Sequence, residues 1–280
     1  MRIVILGASG FIGRRLASAL RARGDEVIEA SLRDPDQAFP LCESADAVVN
    51  LAGAPVAQRW TAEHKEAIRS SRVDAPRALI EGFARLPIPP KAYISASAIG
   101  YYGSSETAVF TEASPPGDDF LAGVCVQWEA QAHKAAATCK RVGIVRTGIV
   151  LGADGGALAK LLPIFKLGGG GVVASGRQWQ SWIHIDDIVG IYLMMIDGRD
   201  GVVDGTAPNP VRQAEFTAAL AKAVSRPAIL PVPEFALKLL FGEGATVLTQ
   251  GQRVLPERTQ SLGYRFNYET IGPALTSIVA

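Results

Sequence analysis

The chain has 280 residues, 48% of them hydrophobic and 20% charged, with 28 Lys plus Arg against 27 Asp plus Glu and a formal net charge of +1. That length suits one large domain or two modest ones with an ample core, and the composition excludes a disordered or fibrous chain. So even a charge balance argues against a protein that coats nucleic acid or clings to membranes through basic residues.

The first half alternates short branched runs with longer helical patterns. Arg2–Leu6 predicts a buried strand, and Phe11–Arg23 a helix that Gly24 ends. Glu26–Ser31 and Ala47–Asn50 predict two further strands. One long polar helix is expected over 62–85, closed by Pro87, Pro89 and Pro90. Ala92–Ser97 is the next strand, a helix follows over 120–141, and Val142–Thr147 is another strand. Strands separated by helices imply βαβ units and a parallel sheet covered on both faces.

After Gly148 the glycines multiply, from Gly152 and Gly155–Gly156 to the run Gly168–Gly171. That run is no phosphate loop, because no Gly-Lys-Ser/Thr follows it. Ser181–Ile185 predicts a strand leading into a helix capped by Asp186 and Asp187. Short helices are expected over 215–225 and 235–241. The fold class is therefore α/β: a Rossmann-type, doubly wound parallel sheet with a smaller C-terminal α/β lobe. The nucleotide-binding lobe spans 1–150, with 182–203 returning to it, and 151–181 plus 204–280 form the second lobe.

Cys42, Cys125 and Cys139 are odd in number and widely spaced, with no CxxC pair and no Cys/His cluster. Neither a metal site nor a disulfide framework is expected, and a reducing compartment fits. The apolar run Ile3–Leu6 stops at a glycine without a signal-peptide cleavage site. The densest apolar stretch, Ile191–Ile196, falls far short of the roughly 20 residues of a membrane span. A cytoplasmic protein with no nucleic-acid or membrane partner is the expectation. Oligomeric state leaves no trace in the sequence.

Gly7-Ala8-Ser9-Gly10-Phe11-Ile12-Gly13 is a GxxGxxG turn placed directly after a strand and before a helix. Glycines there let backbone N–H groups approach a pyrophosphate at the positive end of the helix. Gly7, Ser9, Gly10, Phe11, Ile12 and Gly13 are therefore expected to cradle a dinucleotide. An NAD-preferring site places a carboxylate about 20 residues beyond the glycines, on the ribose 2′-OH. Here Ser31 and then Arg33 stand in that region, and a guanidinium binds a 2′-phosphate bidentately. NADP(H) is the expected cofactor, with Glu29 as the nearby competitor.

These residues resemble the extended, epimerase-like branch of the short-chain dehydrogenase/reductase superfamily. GASGFIG matches its glycine turn, Asn50-Leu51-Ala52-Gly53 its NxAG segment, Ser95-Ala96-Ser97 its strand-end serines, and Trp182–Asp187 its late segment. More narrowly, Arg59-Trp60-Thr61, SASAIGYYG (95–103), TEASPPGDDFLAGVC (111–125), RTGIVLGADGGALAK (146–160), SGRQWQSWIHIDD (175–187), TAPNPV (206–211) and the stretch 231–258 are similar to the SDR39U1 or YfcH-like epimerase family, which carries its own C-terminal domain. The resemblance spans essentially the whole chain. It implies that Leu51, Ala52 and Gly53 border the adenosine and that Ser97 orients a substrate oxygen.

The superfamily's acid–base pair is YxxxK, in which a lysine ammonium draws a tyrosine toward its phenolate. In this chain one register puts Phe120 and Val124 in those slots, and another puts Leu121 and Cys125. Neither pair moves a proton at neutral pH, so the usual mechanism does not carry over. Tyr101 and Tyr102, just past the serine strand, are the replacement donors to examine, against a packing role for the YYG turn. Cys125 reads as a buried thiol.

Arg146 ends a strand at the ligand-binding edge of the sheet. It is assigned to the cofactor set, with a structural ion pair as the alternative. Lys65, Arg69 and Arg72 share one helix and predict a solvated face, with recruitment of a nearby phosphate as the alternative. His184 predicts a hydrogen bond to backbone or to Asp186. Arg177, Gln178 and Trp179 form either a substrate lid or a mobile loop. Two functions fit: an NADP(H)-dependent oxidoreductase acting on a carbonyl or alcohol carbon of a small molecule, or a dinucleotide-binding regulator or sensor, division-related in some relatives, with little turnover.

Overall fold

The first apolar run forms β1 (Arg2–Leu6), and its alternation decides the layers. Ile3 and Ile5 enter one core, whereas Val4 and Leu6 enter the other, as the two-residue period of a strand requires. The computed structural model describes all 280 residues. In chain order β1 is followed by α1 (Phe11–Ala22), β2 (Glu26–Ala30), α2 (Pro35–Ala38), β3 (Ala47–Asn50), α3 (Ala62–Arg72), α4 (Asp74–Phe83) and β4 (Ala92–Ala98). Next come β5 (Val109–Phe110), α5 (Phe120–Lys134), β6 (Arg141–Thr147), β7 (Ile149–Leu151), α6 (Gly156–Lys166), β8 (Trp179–Gln180), β9 (Trp182–His184), α7 (Ile185–Ile196) and β10 (Gly201–Gly205). The chain ends with β11 (Val211–Arg212), α8 (Gln213–Ala223), α9 (Glu234–Phe241), α10 (Thr246–Thr249), β12 (Arg253–Val254), α11 (Glu257–Ser261) and α12 (Ile271–Val279).

Six strands pair in the order β10-β6-β4-β3-β1-β2, every neighbour parallel. This is the doubly wound α/β sheet expected. One face packs on α1 through Leu16 and Leu20 and on α7 through Ile188, Ile191 and Met195. The opposite face packs on α4 through Leu79 and Phe83 and on α5 through Ala132. From β1 the chain turns outward to β2 and then crosses to β3 on the other side. That reversal opens a crevice at the carboxyl ends of β1 and β3, where open α/β sheets bind ligands. Residues beyond β6 build a separate apolar cluster around Leu158, Leu162, Trp182, Phe216 and Leu275. Three two-stranded ribbons, β7–β9, β8–β11 and β5–β12, lie outside the main sheet.

Three details depart from the sequence reading. The single helix expected over 62–85 breaks at Val73 into α3 and α4. Pro76 lacks the N–H that would bond the Arg72 carbonyl, and its ring crowds that carbonyl. Helix α5 stops at Lys134 and passes through a 3₁₀ turn, Ala135–Ala137, before β6 begins at Arg141. The cap of α7 is His184, not the Asp186–Asp187 pair: its Nδ1 accepts the Asp186 backbone N–H at 3.1 Å. Asp187 instead anchors the C-terminal segment, accepting from the backbone N–H of Asn267 at 2.7 Å and of Tyr268 at 3.1 Å. No helix is long and apolar enough to cross a membrane.

Candidate functional site

The glycine turn forms as its spacing requires. Gly7 adopts φ 84°, and a Cβ there would stand 2.9 Å from the Ala52 backbone nitrogen. A Cβ at Gly13 would lie 2.3 Å from the Gly7 carbonyl oxygen, so only glycine lets α1 close on the turn. Helix α1 starts at an extended Gly10 with no side-chain cap and no acidic residue in its first turn. Its first N–H groups are left for an anion, at the positive end of the helix.

This turn forms one end of a cavity of about 840 Å³. Gly7, Ser9, Gly10, Ser31, Arg33, Leu51, Ala52 and Gly53 line it, as expected of cofactor residues. Arg33 reaches it with no carboxylate partner, and its backbone N–H donates to the Ser31 hydroxyl at 3.3 Å. Glu29, the competitor for a ribose, is drawn aside into an ion pair with Arg21 at 2.6 Å. The carboxylate on the wall, Asp74, is held by Arg69 at 2.6 Å and Arg77 at 3.2 Å. These residues fit a dinucleotide bearing a 2′-phosphate. Phe11 and Ile12 open α1 and face the turn only through their backbone N–H groups: the Phe11 ring packs on Gly152 and Gly155, and the Ile12 side chain packs on the α1 side of the core.

A second cavity, about 540 Å³, lies beyond the ends of β4 and β6 and under the 243–252 segment. Its wall is mostly apolar, with Trp60, Phe120, Leu121, Val124 and Ile149. Both registers of the missing YxxxK pair fall on that wall, since Phe120, Leu121, Val124 and Cys125 all line it. Burial pushes the Cys125 thiol up to about 12, with the Glu129 charge adding to the effect. A thiol so placed is no base at neutral pH. Trp179 lines this cleft too, under the Arg212 guanidinium at 3.8 Å, and its Nε1 donates to the Glu106 carbonyl at 3.0 Å. Gln178 is buried and donates to the carbonyls of Val173 and Leu248, so this segment is packed in place.

Ser97, Tyr101, Tyr102 and Arg146 come together, but in a cluster that lines neither cavity. Arg146 is the ion pair: its Nε and Nη2 each donate to Glu129 at 2.8 Å, and both side chains are buried. The Ser97 hydroxyl donates to the same carboxylate at 2.6 Å. Tyr102 donates to Asp204 at 2.9 Å and accepts from Arg146 Nη1 at 3.0 Å. Burial, reinforced by Asp204, drives the Tyr102 phenol well above its ordinary pKa of 10, the reverse of what a catalytic tyrosine needs. Burial also raises Asp204, and the Glu112 carboxylate adds to it. For Arg146, burial lowers the pKa, but the hydrogen bonds and charge of Glu129 outweigh it and hold it above the ordinary value. The Tyr101 ring lies under the Arg146 guanidinium at 3.4 Å. Arg146 therefore contacts no cofactor cavity, and the hydroxyls of Ser97 and Tyr102 are committed inside the protein.

Sequence reasoning missed Glu129 and placed Arg72 with Lys65 and Arg69 on a solvated face. Glu129 shares the buried stripe of α5 with Ala122, Cys125 and Ala132, and a carboxylate at that period signals a buried partner. The expected solvated face of α3 holds for Lys65, paired with Glu243, and for Arg69, paired with Glu66 and Asp74. Arg72, one turn after the buried Ile68, points inward to the cleft instead.

A model of the NAD dependent epimerase/dehydratase family matches residues 3–209, and one of a domain of unknown function, DUF1731, matches residues 232–278. The Epimerase family protein SDR39U1 homolog, chloroplastic, of Arabidopsis thaliana is 44% identical over 302 residues, which cover 100% of this chain and 87% of that protein. The Epimerase family protein SDR39U1 of Homo sapiens is 37% identical over 295 residues, covering 100% of each. A crystal structure of the human protein (isoform2) with NADPH superposes with a TM-score of 0.94 at 35% identity, covering 100% of this chain and 99% of that one. MoeE5 in complex with UDP-glucuronic acid and NAD, at 19% identity and a TM-score of 0.81 over 100% and 98% of the two chains, shares the fold. Matched by the family model over most of its length and by relatives from end to end, this chain belongs to the NAD dependent epimerase/dehydratase family, in a branch that carries the DUF1731 domain.

Proposed function

We propose that the protein binds NADP(H) along the glycine-lined cavity and is an oxidoreductase acting on a carbonyl or alcohol carbon of a small molecule held in the adjoining cleft. The observation that carries this reading is the pairing of an uncapped α1 N-terminus with an unpartnered Arg33 in one cavity, while Glu29 is turned away. The human relative crystallised with NADPH supports the same cofactor. Bound NADPH supplies a hydride. The chain's own residues do the rest: α1 holds the pyrophosphate, Arg33 the 2′-phosphate, and Leu51–Gly53 the adenosine. The apolar wall of Trp60, Phe120 and Leu121 packs against the body of the small molecule.

The proton that accompanies the hydride comes from solvent. Neither Phe120 with Val124 nor Leu121 with Cys125 supplies the usual donor pair, Ser97 and Tyr102 are committed elsewhere, and Tyr101 lies outside the cleft wall. Ser97, Tyr102 and Arg146 act as positioning residues that brace the ends of β4 and β6. The same closure of every expected donor favours a second reading, a nucleotide-dependent regulator without turnover. NADPH deuterated at either face of C4, incubated with the protein and a panel of small aldehydes and ketones, separates the two. Deuterium carried into an alcohol from one face alone supports the oxidoreductase. Tight NADPH binding with no transfer across the panel supports the regulator.

A further inference from the structure

Arg72 is the one cation that lines the 540 Å³ cleft. Its Nη1 donates to the carbonyls of Ala54 at 3.0 Å and Ile68 at 3.4 Å, with the Ser71 hydroxyl at 3.5 Å. Its guanidinium carbon sits 5.2 Å from the centre of the Trp128 ring, and on another side it packs against Gly53, where a Cβ would come within 2.9 Å of Nη2. The plane is thus fixed by an indole, a glycine and two carbonyls. Nε and Nη2 have no partner in the protein, and no carboxylate forms an ion pair with it, whereas Lys65 and Arg69 on the same helix are both neutralised.

An arginine does not shed its charge when buried. Burial works against this charge, and a guanidinium left without an anion in an apolar wall costs free energy. The other charges on the cleft are two carboxylates, each already engaged. Glu243 is paired with Lys65, and Asp119 caps α5 by accepting the Ala122 N–H at 2.9 Å. The cleft therefore presents one pre-oriented, uncompensated cation beside an apolar surface of Trp60, Phe120, Leu121 and Val124. Arg72 touches Gly53, Ala54 and Ser71 of the other cavity without lining it, and the pyrophosphate and 2′-phosphate have α1 and Arg33 as their own partners there.

We propose that Arg72 is a specificity-determining residue whose free Nε and Nη2 bind a carboxylate, so that the small molecule taken into this cleft is an apolar-bodied organic acid. The inference rests on the reading of the 540 Å³ cleft as the substrate site. Geometry favours a carboxylate, because Nε and Nη2 form one edge of the guanidinium fork and match two carboxylate oxygens.

Benzoate and benzamide are suitable probes, alike in shape and differing in charge. Isothermal titration of the protein saturated with NADPH is expected to give benzoate at least a tenfold advantage over benzamide. In Arg72→Gln that advantage falls below twofold, and in Arg72→Lys, which keeps the charge but not the fork, it is intermediate. Equal affinities in the unaltered protein, no measurable benzoate binding, or a preference that survives in Arg72→Gln overturns the proposal. If Arg72→Gln fails to fold, the comparison of the two probes on the unaltered protein decides. NADPH affinity is measured separately, so loss of cofactor binding overturns the cofactor reading alone. The probe titration is then run without NADPH.

Discussion

Replacing Glu129 by Gln tests whether the Ser97–Glu129–Arg146–Tyr102 cluster is a brace. Glu129 accepts two hydrogen bonds from Arg146 at 2.8 Å and one from Ser97 at 2.6 Å, in a setting where both ionic side chains are buried. Glutamine keeps the shape but removes the charge and turns one acceptor into a donor aimed at a donor. The Arg146 guanidinium then stays buried without its anion, and breaking a buried pair from one side costs about 3–5 kcal/mol. At about 2–4 °C per kcal/mol for a large domain, the melting temperature should fall on the order of 10 °C. Thermal unfolding followed by circular dichroism reads this directly. The double variant Glu129→Gln/Arg146→Met should recover part of the loss, because it removes the stranded charge as well. A fall of less than about 2 °C in the single variant, set against the cost of a stranded charge, would refute the brace, and so would a double variant worse than the sum of the two singles.

Three further outcomes follow from the same structure. Gly13→Ala places a methyl group 2.3 Å from the Gly7 carbonyl oxygen, so NADPH affinity by nicotinamide fluorescence should fall at least tenfold. Burial pulls the His184 pKa below its ordinary value of 6.5. The folded state then binds fewer protons than the unfolded one below that pH, so the stability His184 contributes is present above about 6.5 and is lost as the pH falls through the lower folded-state value. Urea midpoints measured across that window should drop with acidification, and less so in His184→Asn, whose side-chain oxygen keeps a cap without titrating. Burial is the first cause raising all three thiols, to about 12 for Cys42 and Cys125 and about 11 for Cys139. Native protein should therefore leave a disulfide reagent unreacted at neutral pH and titrate three thiols per chain once unfolded.

The parts of the fold written locally were legible in the sequence. The glycine turn needs only seven consecutive residues, and the strands β1, β3 and β6 only a short branched run each. What escaped were choices made across the fold. Arg72 and Arg69 look alike in the sequence, three residues apart on one helix, yet one meets two carboxylates and the other an apolar cleft. Arg146 was correctly placed at a strand end, but its partner lies 17 residues back on a different element. Ser97 matches a family serine in sequence, while its hydroxyl is claimed by that same distant carboxylate. The cap on α7 was misread because histidine rarely caps a helix, and only the neutral ring with a free Nδ1 lone pair performs the task.

The central claim is that Arg33 and the uncapped α1 turn select NADP(H). Titrating the purified protein and its Arg33→Ser variant with NADPH and with NADH, by nicotinamide fluorescence, tests it most directly. The structure predicts NADPH binding about tenfold or more tighter than NADH, the scale of one charge-assisted phosphate contact, with the difference collapsing in Arg33→Ser. Equal or tighter binding of NADH, or a preference for NADPH that Arg33→Ser leaves intact, would contradict it.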